Sequence, residues 1–137
     1  MKILGVDYGD TRTGIAVCDK NEILASPLVT IEEKYEPKLI EKILAITAQE
    51  KIELIVLGKP VNMDGSEGFR AQKCTEFAQK LALSSGIKVE LIDERMTTMI
   101  AAKSLNFTNT RGKKRKNVID AVSAQIILQD YIDARKK

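Results

Sequence analysis

Apolar residues in the first third of the chain come in short blocks, and the period changes near residue 37. Residues 2–7 are an apolar run ending on an acid, 13–18 are rich in small and β-branched residues, and 23–30 are interrupted by Pro27. The links between them, 8–12 with Gly9 and 19–22 with Asn21, are short and turn-like. The pattern therefore predicts three strands joined as antiparallel hairpins. Pro27 has no amide to donate and suits an edge strand.

From residue 37 to 51, Leu39, Ile43 and Ile46, with Ile40 and Leu44 beside them, recur at helical spacing. Residues 53–58 read as a buried strand, followed by a loop over 59–65. A second helix is expected from Ser66, its N-cap; it buries Cys74, Phe77, Ala78 and Leu81 and ends at Gly86. Residues 88–92 form a fifth short strand, running into Asp93, Glu94 and Arg95. A short helix is expected after Thr97 and Thr98. Residues 106–117 are polar, include Gly112 and lack an apolar period, which predicts a mobile loop. The last helix, 118 to about 134, is apolar on most sides through Val118, Ile119, Val122, Ile126, Ile127, Leu128 and Ile132. Only a narrow polar strip remains, so this helix should lie against the sheet.

The order is βββαβααα, without repeats or a linker. Helical crossovers make the fourth and fifth strands parallel to the first by the right-handed rule. The expected fold is α/β: a mixed five-stranded sheet of three antiparallel strands and then parallel β-α units, with helices on both faces. At 137 residues it is read as one domain over 1–137.

Composition narrows the chemistry. There is no histidine, which excludes Ser-His-Asp and Cys-His nucleophilic sites and His-ligated zinc. Acid–base work must come from carboxylates, Lys, Tyr or metal-bound water. The two cysteines, Cys18 and Cys74, form no CxxC pair and read as reduced, buried thiols. No apolar run approaches the ~20 residues of a membrane span and the N-terminus lacks a signal-peptide layout, so a cytoplasmic protein is expected.

The net charge of +3 hides an asymmetry. Of 22 basic residues, seven lie between Arg95 and Ile119 with no acid among them: Arg95, Lys103, Arg111, Lys113, Lys114, Arg115 and Lys116. The rest of the chain carries 15 basic residues against all 19 acids. A mildly acidic body with one basic segment points to a polyanionic partner.

Asp7 ends the first strand, Asp93 and Glu94 end the fifth, and Asp120 falls in the first turn of the final helix as read above. Singly, each has a plain structural role: a turn or cap, a surface ion pair, or an acid favoured by a helix dipole. Together they lie at the carboxyl edge of the parallel strands, where ligands gather in open α/β sheets. Converging carboxylates repel one another unless a divalent cation intervenes, and oxygen-only sites suit Mg²⁺ or Mn²⁺. Strands one and five are roughly 10 Å apart if one strand separates them, at ~4.8 Å per step. That gap favours the longer Glu94 over Asp93. Gly9 and Gly14 are read chiefly as positive-φ turn residues, with close backbone approach to a phosphate as the alternative.

At these residues the chain resembles a known family. Asp7-Tyr8-Gly9 with Arg12, Gly14, Ile15 and Ala16 is similar to the opening motif of the YqgF/RuvX family. Gly58, Pro60, the run from Asn62 to Ser66, and Arg70-Ala71 resemble its second motif. Asp93-Glu94-Arg95 with Thr97-Thr98 resembles its third. The basic run followed by Asp120, Ala124, Ile127-Leu128-Gln129 and Tyr131 resembles its fourth. Members are described as Holliday junction resolvases and as pre-16S ribosomal RNA nucleases with an RNase H-like fold. Three positions depart from the pattern: Thr13 for an Ile, Lys59 for an apolar residue and Ser123 for an Ala.

The resemblance implies a metal-dependent nuclease with Asp7, Glu94 and Asp120 as catalytic metal ligands for Mg²⁺ or Mn²⁺. Arg12, Lys59, Arg95, Arg111, Lys113, Lys114, Arg115 and Lys116 are the expected nucleic-acid contacts. The implied substrate is precursor 16S ribosomal RNA in ribosome biogenesis. Branched DNA is the alternative; it would need two sites and hence a weak homodimer. A non-catalytic RNA-binding module is a second class, separated by the absence of Mg²⁺-dependent cleavage. An actin-like phosphotransferase, which also opens on Asp-x-Gly, ranks last because such enzymes close two domains over the nucleotide.

Overall fold

The computed structural model describes residues 1–60, 68–93 and 112–135, the first eight of the last stretch by their backbone alone. Within these, β1 (Ile3–Asp7), β2 (Arg12–Cys18) and β3 (Ala25–Glu32) are followed by α1 (Glu36–Glu50), β4 (Leu54–Lys59), α2 (Phe69–Ser85), β5 (Val89–Asp93) and α3 (Gly112–Arg135). The sheet order is β3-β2-β1-β4-β5. β1 pairs antiparallel with β2, and β2 with β3; β1–β4 and β4–β5 are parallel. This is the mixed sheet expected, and Pro27 sits on an edge strand. Its pairing with Ala16 adjoins a register shift, where a missing donor costs least.

Alternation along the strands divides the core in two. Leu4, Val6, Ile15, Ile55 and Leu57 face α1 and α2 and pack with Leu39, Ile43, Phe77 and Leu81. Ile3, Ala16, Cys18, Leu54 and Val56 face α3 and pack with Ala124, Ile127, Leu128 and Ile132. Helix α1 has Pro37 in its first turn and ends with Lys51 in a left-handed conformation. Gly86, at φ +70°, ends α2, and its amide donates to the Ala82 carbonyl at 2.9 Å.

Helix α3 lies across the sheet at a spacing set by two glycines. A Cβ on Gly5 would stand 2.8 Å from Leu128 Cβ and 2.9 Å from the Ala124 carbonyl oxygen. One on Gly14 would stand 1.9 Å from the Asp120 carbonyl oxygen. Neither Gly9 nor Gly14 has a positive φ; among the described glycines only Gly86 does. The positive-φ reading of these residues is thus overturned. The close approach that Gly14 makes is to the backbone of α3. Farther along, Gln129 accepts from the Ala25 amide at 2.8 Å and donates to the Ile23 carbonyl at 3.0 Å. Gln125 donates to the Ala25 carbonyl at 3.0 Å. The polar strip of α3 therefore tethers the start of β3.

Two expected boundaries move. Helix α2 begins at Phe69, with Gly68 at its N-cap, rather than at Ser66; Ser66 itself, like the helix expected after Thr98, lies outside the described residues. Residues 112–117, read as loop, are the opening turns of α3. Lysine and arginine favour helix intrinsically, and an apolar period marks only the part of a helix that packs. Asp120 is in consequence the ninth residue of its helix. The first-turn dipole explanation for it is lost, because that effect fades within a turn.

Ser123 is fully buried, and its hydroxyl has no hydrogen-bond partner among the described residues. Ser123→Ala is expected to stabilise the protein by about 1 kcal/mol, since an unsatisfied buried hydroxyl is removed with little loss of volume. Gly14→Ala is expected to destabilise it by about 1–3 kcal/mol, as forced overpacking does. Urea unfolding of both variants checks this; a Gly14→Ala protein as stable as the parent would show that α3 does not rest on β2 there.

Candidate active site

Asp7 is the last residue of β1 and lies opposite Gly14 of β2. Ile3 and Gly5 face α3, so alternation puts Asp7 on that face too. Paired Cα atoms in an antiparallel ladder are about 5 Å apart. The Asp120 carbonyl occupies the place of the missing Gly14 side chain. Asp7 and Asp120, both half-buried, are in this way brought to the two sides of one glycine.

Asp93 ends β5 two strands away and pairs in register with Lys59 at the end of β4. Val89 packs on the α1–α2 side and Ile92 on the α3 side. Asp93 therefore belongs to the face away from Asp7, and Lys59, two residues after Leu57, shares it. Glu94, Arg95 and Arg111 lie outside the described residues. Lys113, Lys114, Arg115 and Lys116 lie in the opening turns of α3, immediately before Asp120. Arg12 starts β2 on the same face as Gly14, and its Nε is buried without a hydrogen-bond partner among the described residues.

The turn that leaves Asp7 is held from the opposite side of the sheet by residues the sequence did not single out for function. The Tyr8 ring stacks on Phe77 of α2, with centroids 4.0 Å apart and planes 5° from parallel. Its hydroxyl donates to Glu36 Oε2 of α1 at 3.1 Å. Burial first, and then this bond to a carboxylate, push the Tyr8 pKa well above the ordinary tyrosine value. Lys80 donates to the other Glu36 oxygen at 2.8 Å. That bond, aided by Tyr8 and opposed by burial, holds the Glu36 carboxyl below its usual range. The Gly9 amide donates to Thr13 Oγ1 at 3.4 Å, which gives the hydroxyl at this unusual position a partner. Arg70 donates to the Tyr8 carbonyl at 3.4 Å and to Asp10 Oδ2 at 3.5 Å, and Lys73 donates to Asp10 Oδ1. The cues in the sequence were an aromatic residue directly after the candidate acid and Arg70 within the second family motif.

On the far side of α3, the Tyr131 hydroxyl donates to Glu90 of β5. Burial, then Glu90, push the Tyr131 pKa up to about 12. This bond carries α3 across to the fifth strand.

The donor set fits a hard divalent cation. Asp7 and Asp120 offer carboxylate oxygens only, in a chain without histidine. Among the described residues no cluster of three acidic or cysteine donors is assembled, and the third expected acid, Glu94, is outside them. Among the same residues, no helix is long and apolar enough to cross a membrane.

Comparison with known proteins bears on this arrangement. The family profile of RuvX, described as a Holliday junction resolvase, matches residues 1–134. A protein of Protochlamydia amoebophila, provisionally named a pre-16S rRNA nuclease, is 43% identical over 141 residues, covering 98% of this chain and 94% of its own. A protein of Halothermothrix orenii with the same name is 40% identical, covering 100% of this chain and 98% of its own. Among solved structures, Thermus thermophilus RuvC in complex with a Holliday junction substrate superposes with a TM-score of 0.60 at 14% identity, covering 99% of this chain and 96% of that one. The fowlpox virus resolvase with Holliday junction DNA gives 0.63 at 14% identity over the whole of both chains. The fold is that of these RNase H-like resolvases.

The Tyr8–Glu36–Lys80 chain makes stability depend on pH with a definite sign. Glu36 is depressed from its ordinary value of 4.5, so its contribution is fully present above that pH and is lost as pH falls through the lower folded value. Glu36→Gln should lower the melting temperature at pH 7, and the gap to the parent should close towards pH 3. A gap that stays constant across this range would mean the carboxylate charge plays no part.

Proposed function

The chain belongs to the RuvX family, and from that premise we propose that it is a metal-dependent nuclease hydrolysing phosphodiester bonds in structured nucleic acid, with precursor 16S ribosomal RNA as substrate. The observation that carries this reading is the approach of Asp7 and Asp120 across Gly14. Two half-buried acids on elements whose backbones touch at one glycine offer oxygen donors only, which suits a hard divalent cation. Asp7, Asp120 and Glu94 would hold Mg²⁺ or Mn²⁺, which supplies Lewis acidity towards a phosphoryl oxygen and lowers the pKa of water. Asp93 falls on the face away from Asp7, which weighs against it as the third acid; Glu94 keeps that role on the family resemblance.

The remaining residues bind and orient. Arg12 brings a buried donor in need of an acceptor to the Asp7 side of the sheet, and a phosphate oxygen supplies one. Lys113, Lys114, Arg115 and Lys116 sit on a helix that leads to Asp120. A helical array of cations tracks a phosphate backbone without reading its sequence. Lys59, Arg95 and Arg111 are the remaining basic residues of the proposed contact set. Ribosomal RNA is preferred to a DNA junction because relatives at 40–43% identity carry that name, whereas the junction-bound neighbours share only the fold. The family description keeps the second reading in play; it would require a symmetric dimer with two sites. Cleavage of precursor ribosomal RNA and of a four-way DNA junction, side by side in Mg²⁺ and Mn²⁺, decides between them. Binding without cleavage of either would reduce the protein to a binding module.

Asp7→Asn and Asp120→Asn should each lower cleavage by several orders of magnitude while nucleic-acid binding stays near normal. The double variant should lose much less than the product, since both changes disable one site. Without metal, Asp7→Asn should raise stability by ~1 kcal/mol as like charges are relieved. Mg²⁺ at fixed ionic strength should then raise the melting temperature of the parent more than that of the variant. Equal responses to Mg²⁺ would rule out Asp7 as a ligand.

Neutralising Lys113, Lys114, Arg115 and Lys116 together should weaken binding alike for unrelated sequences. Each lost duplex phosphate contact should flatten the log–log salt slope by ~0.9. An unchanged slope would place the binding surface elsewhere.

A further inference from the structure

Asp7 lies on the α3 face of the sheet, but the residue that follows it is fastened to the other face. Tyr8 is only 8% exposed. Its ring is stacked on Phe77, its hydroxyl is bonded to Glu36, and its carbonyl accepts from Arg70. Fixing the ring and the carbonyl of one residue fixes its Cα and the peptide plane that follows it, so the chain leaving Asp7 is anchored at the next Cα. The same guanidinium reaches Asp10 through its other terminal nitrogen, and Lys73 bonds the second Asp10 oxygen. The turn between these points is tight, since a Cβ on Gly9 would stand 2.2 Å from the Arg12 carbonyl oxygen. One arginine on the first turn of α2 thus grips both the start and the middle of the turn joining Asp7 to Arg12.

We propose that Arg70 is a positioning residue for the Asp7 site, acting by forking across the Tyr8 carbonyl and the Asp10 carboxylate. The inference rests on the nuclease reading above, in which Asp7 is a metal ligand. Its exposure does not argue for a stabilising role: the side chain is 54% exposed and Asp10 58%, and ion pairs so open to water contribute little to stability. What a planar, forked donor provides is geometry. A lysine keeps the charge but cannot bridge two acceptors with a rigid fork. Lys73 alone would keep Asp10 attached to α2 and leave the Tyr8 carbonyl free. Groups that orient metal ligands typically matter by 10–100-fold in affinity or rate, and a misplacement of about 1 Å can cost 10²-fold.

The test uses the full chain and three readouts: cleavage kinetics, heat of Mn²⁺ binding without nucleic acid, and amide hydrogen exchange. In Arg70→Ala, kcat should fall about 100-fold with KM within about twofold. Mn²⁺ affinity should weaken about tenfold, and exchange at residues 8–11 should quicken. Arg70→Lys should rescue little of this. Arg135→Gln, which breaks an exposed pair with Glu22 at the far end of α3, serves as control and should leave all three unchanged. A raised KM with unchanged kcat and a flatter salt dependence would overturn the proposal, making Arg70 a phosphate contact. A lowered melting temperature with kcat and Mn²⁺ affinity intact would overturn it by showing a purely structural clamp. So would unaltered exchange at 8–11. A parent protein that neither cleaves nucleic acid nor takes up Mn²⁺ would instead overturn the nuclease reading, and this inference with it.

Discussion

Helix α3 meets the sheet at a distance that a side chain on β1 or β2 would not allow. At Gly5 an added methyl would collide with Leu128 and Ala124, and at Gly14 with the Asp120 backbone. Backbone-to-backbone approach of this kind is short-ranged and stiff. Interiors pack at crystal-like density, so a shift of a few tenths of an ångström at one point is transmitted along the helix. The contact at Gly14 also determines which residue of α3 stands beside Asp7. Moving the helix by one turn would replace Asp120 with Asn117 or Ala124, and the second carboxylate would be gone. The glycines therefore set which residue of α3 stands beside Asp7 as well as the spacing of helix and sheet.

The two faces of the sheet share the work unequally. On one, α1 and α2 close a core of large side chains and fasten Tyr8, so that β1 leaves the sheet in a fixed direction. On the other, α3 covers four strands and brings its own acid to the edge. β1 lies at the centre of the sheet and is paired on both sides. Asp7 thus rides on the strand least able to move, while its neighbours on either face are fixed by different helices. Metal-ligand geometry tolerates errors of a few tenths of an ångström, and a central strand end locked from both faces is a place where a chain can meet that demand.

Much of this was legible in the sequence, for a physical reason. Strand alternation and helical period report burial, so Leu39, Ile43, Phe77, Leu81, Ile127 and Leu128 were found where they pack. Pro27 marked an edge by what it cannot donate. Glycine is ambiguous in sequence, because the same absent side chain serves a positive φ and a close approach; only the packed structure separates them, and at Gly14 it separates them against the turn reading. The start of α3 escaped because Lys113 to Lys116 have helix propensity without an apolar face. The fork of Arg70 was also out of reach: its partners are 60 and 62 residues away in sequence, and one is a backbone carbonyl, which leaves no trace in a residue pattern. Asp7 and Asp120 stood out as acids at element ends, yet their nearness depends on the register of β1 against β2.

The placement of acids and cations follows the ranges of the forces they use. Coordination of a small cation by carboxylates acts over a bond length and demands a rigid frame, and Asp7 and Asp120 sit where the backbones of two elements touch. Attraction of a phosphate chain acts over the Debye length, about 10 Å at 0.1 M salt, and tolerates a loosely defined array. The basic run occupies the turns of α3 before the helix reaches Gly14. Eight residues separate Gly112 from Asp120, about 12 Å of helix at 1.5 Å per residue. Lys113 to Lys116 lie about 6 to 10.5 Å along the axis from Asp120, within roughly the distance at which their field is felt. In the proposed reading, reversing the order, with the acids on the opening turns and the cations at the glycine contact, would disable both groups. The acids would lack a frame, and the cations would be held too close to the sheet to follow a phosphate backbone.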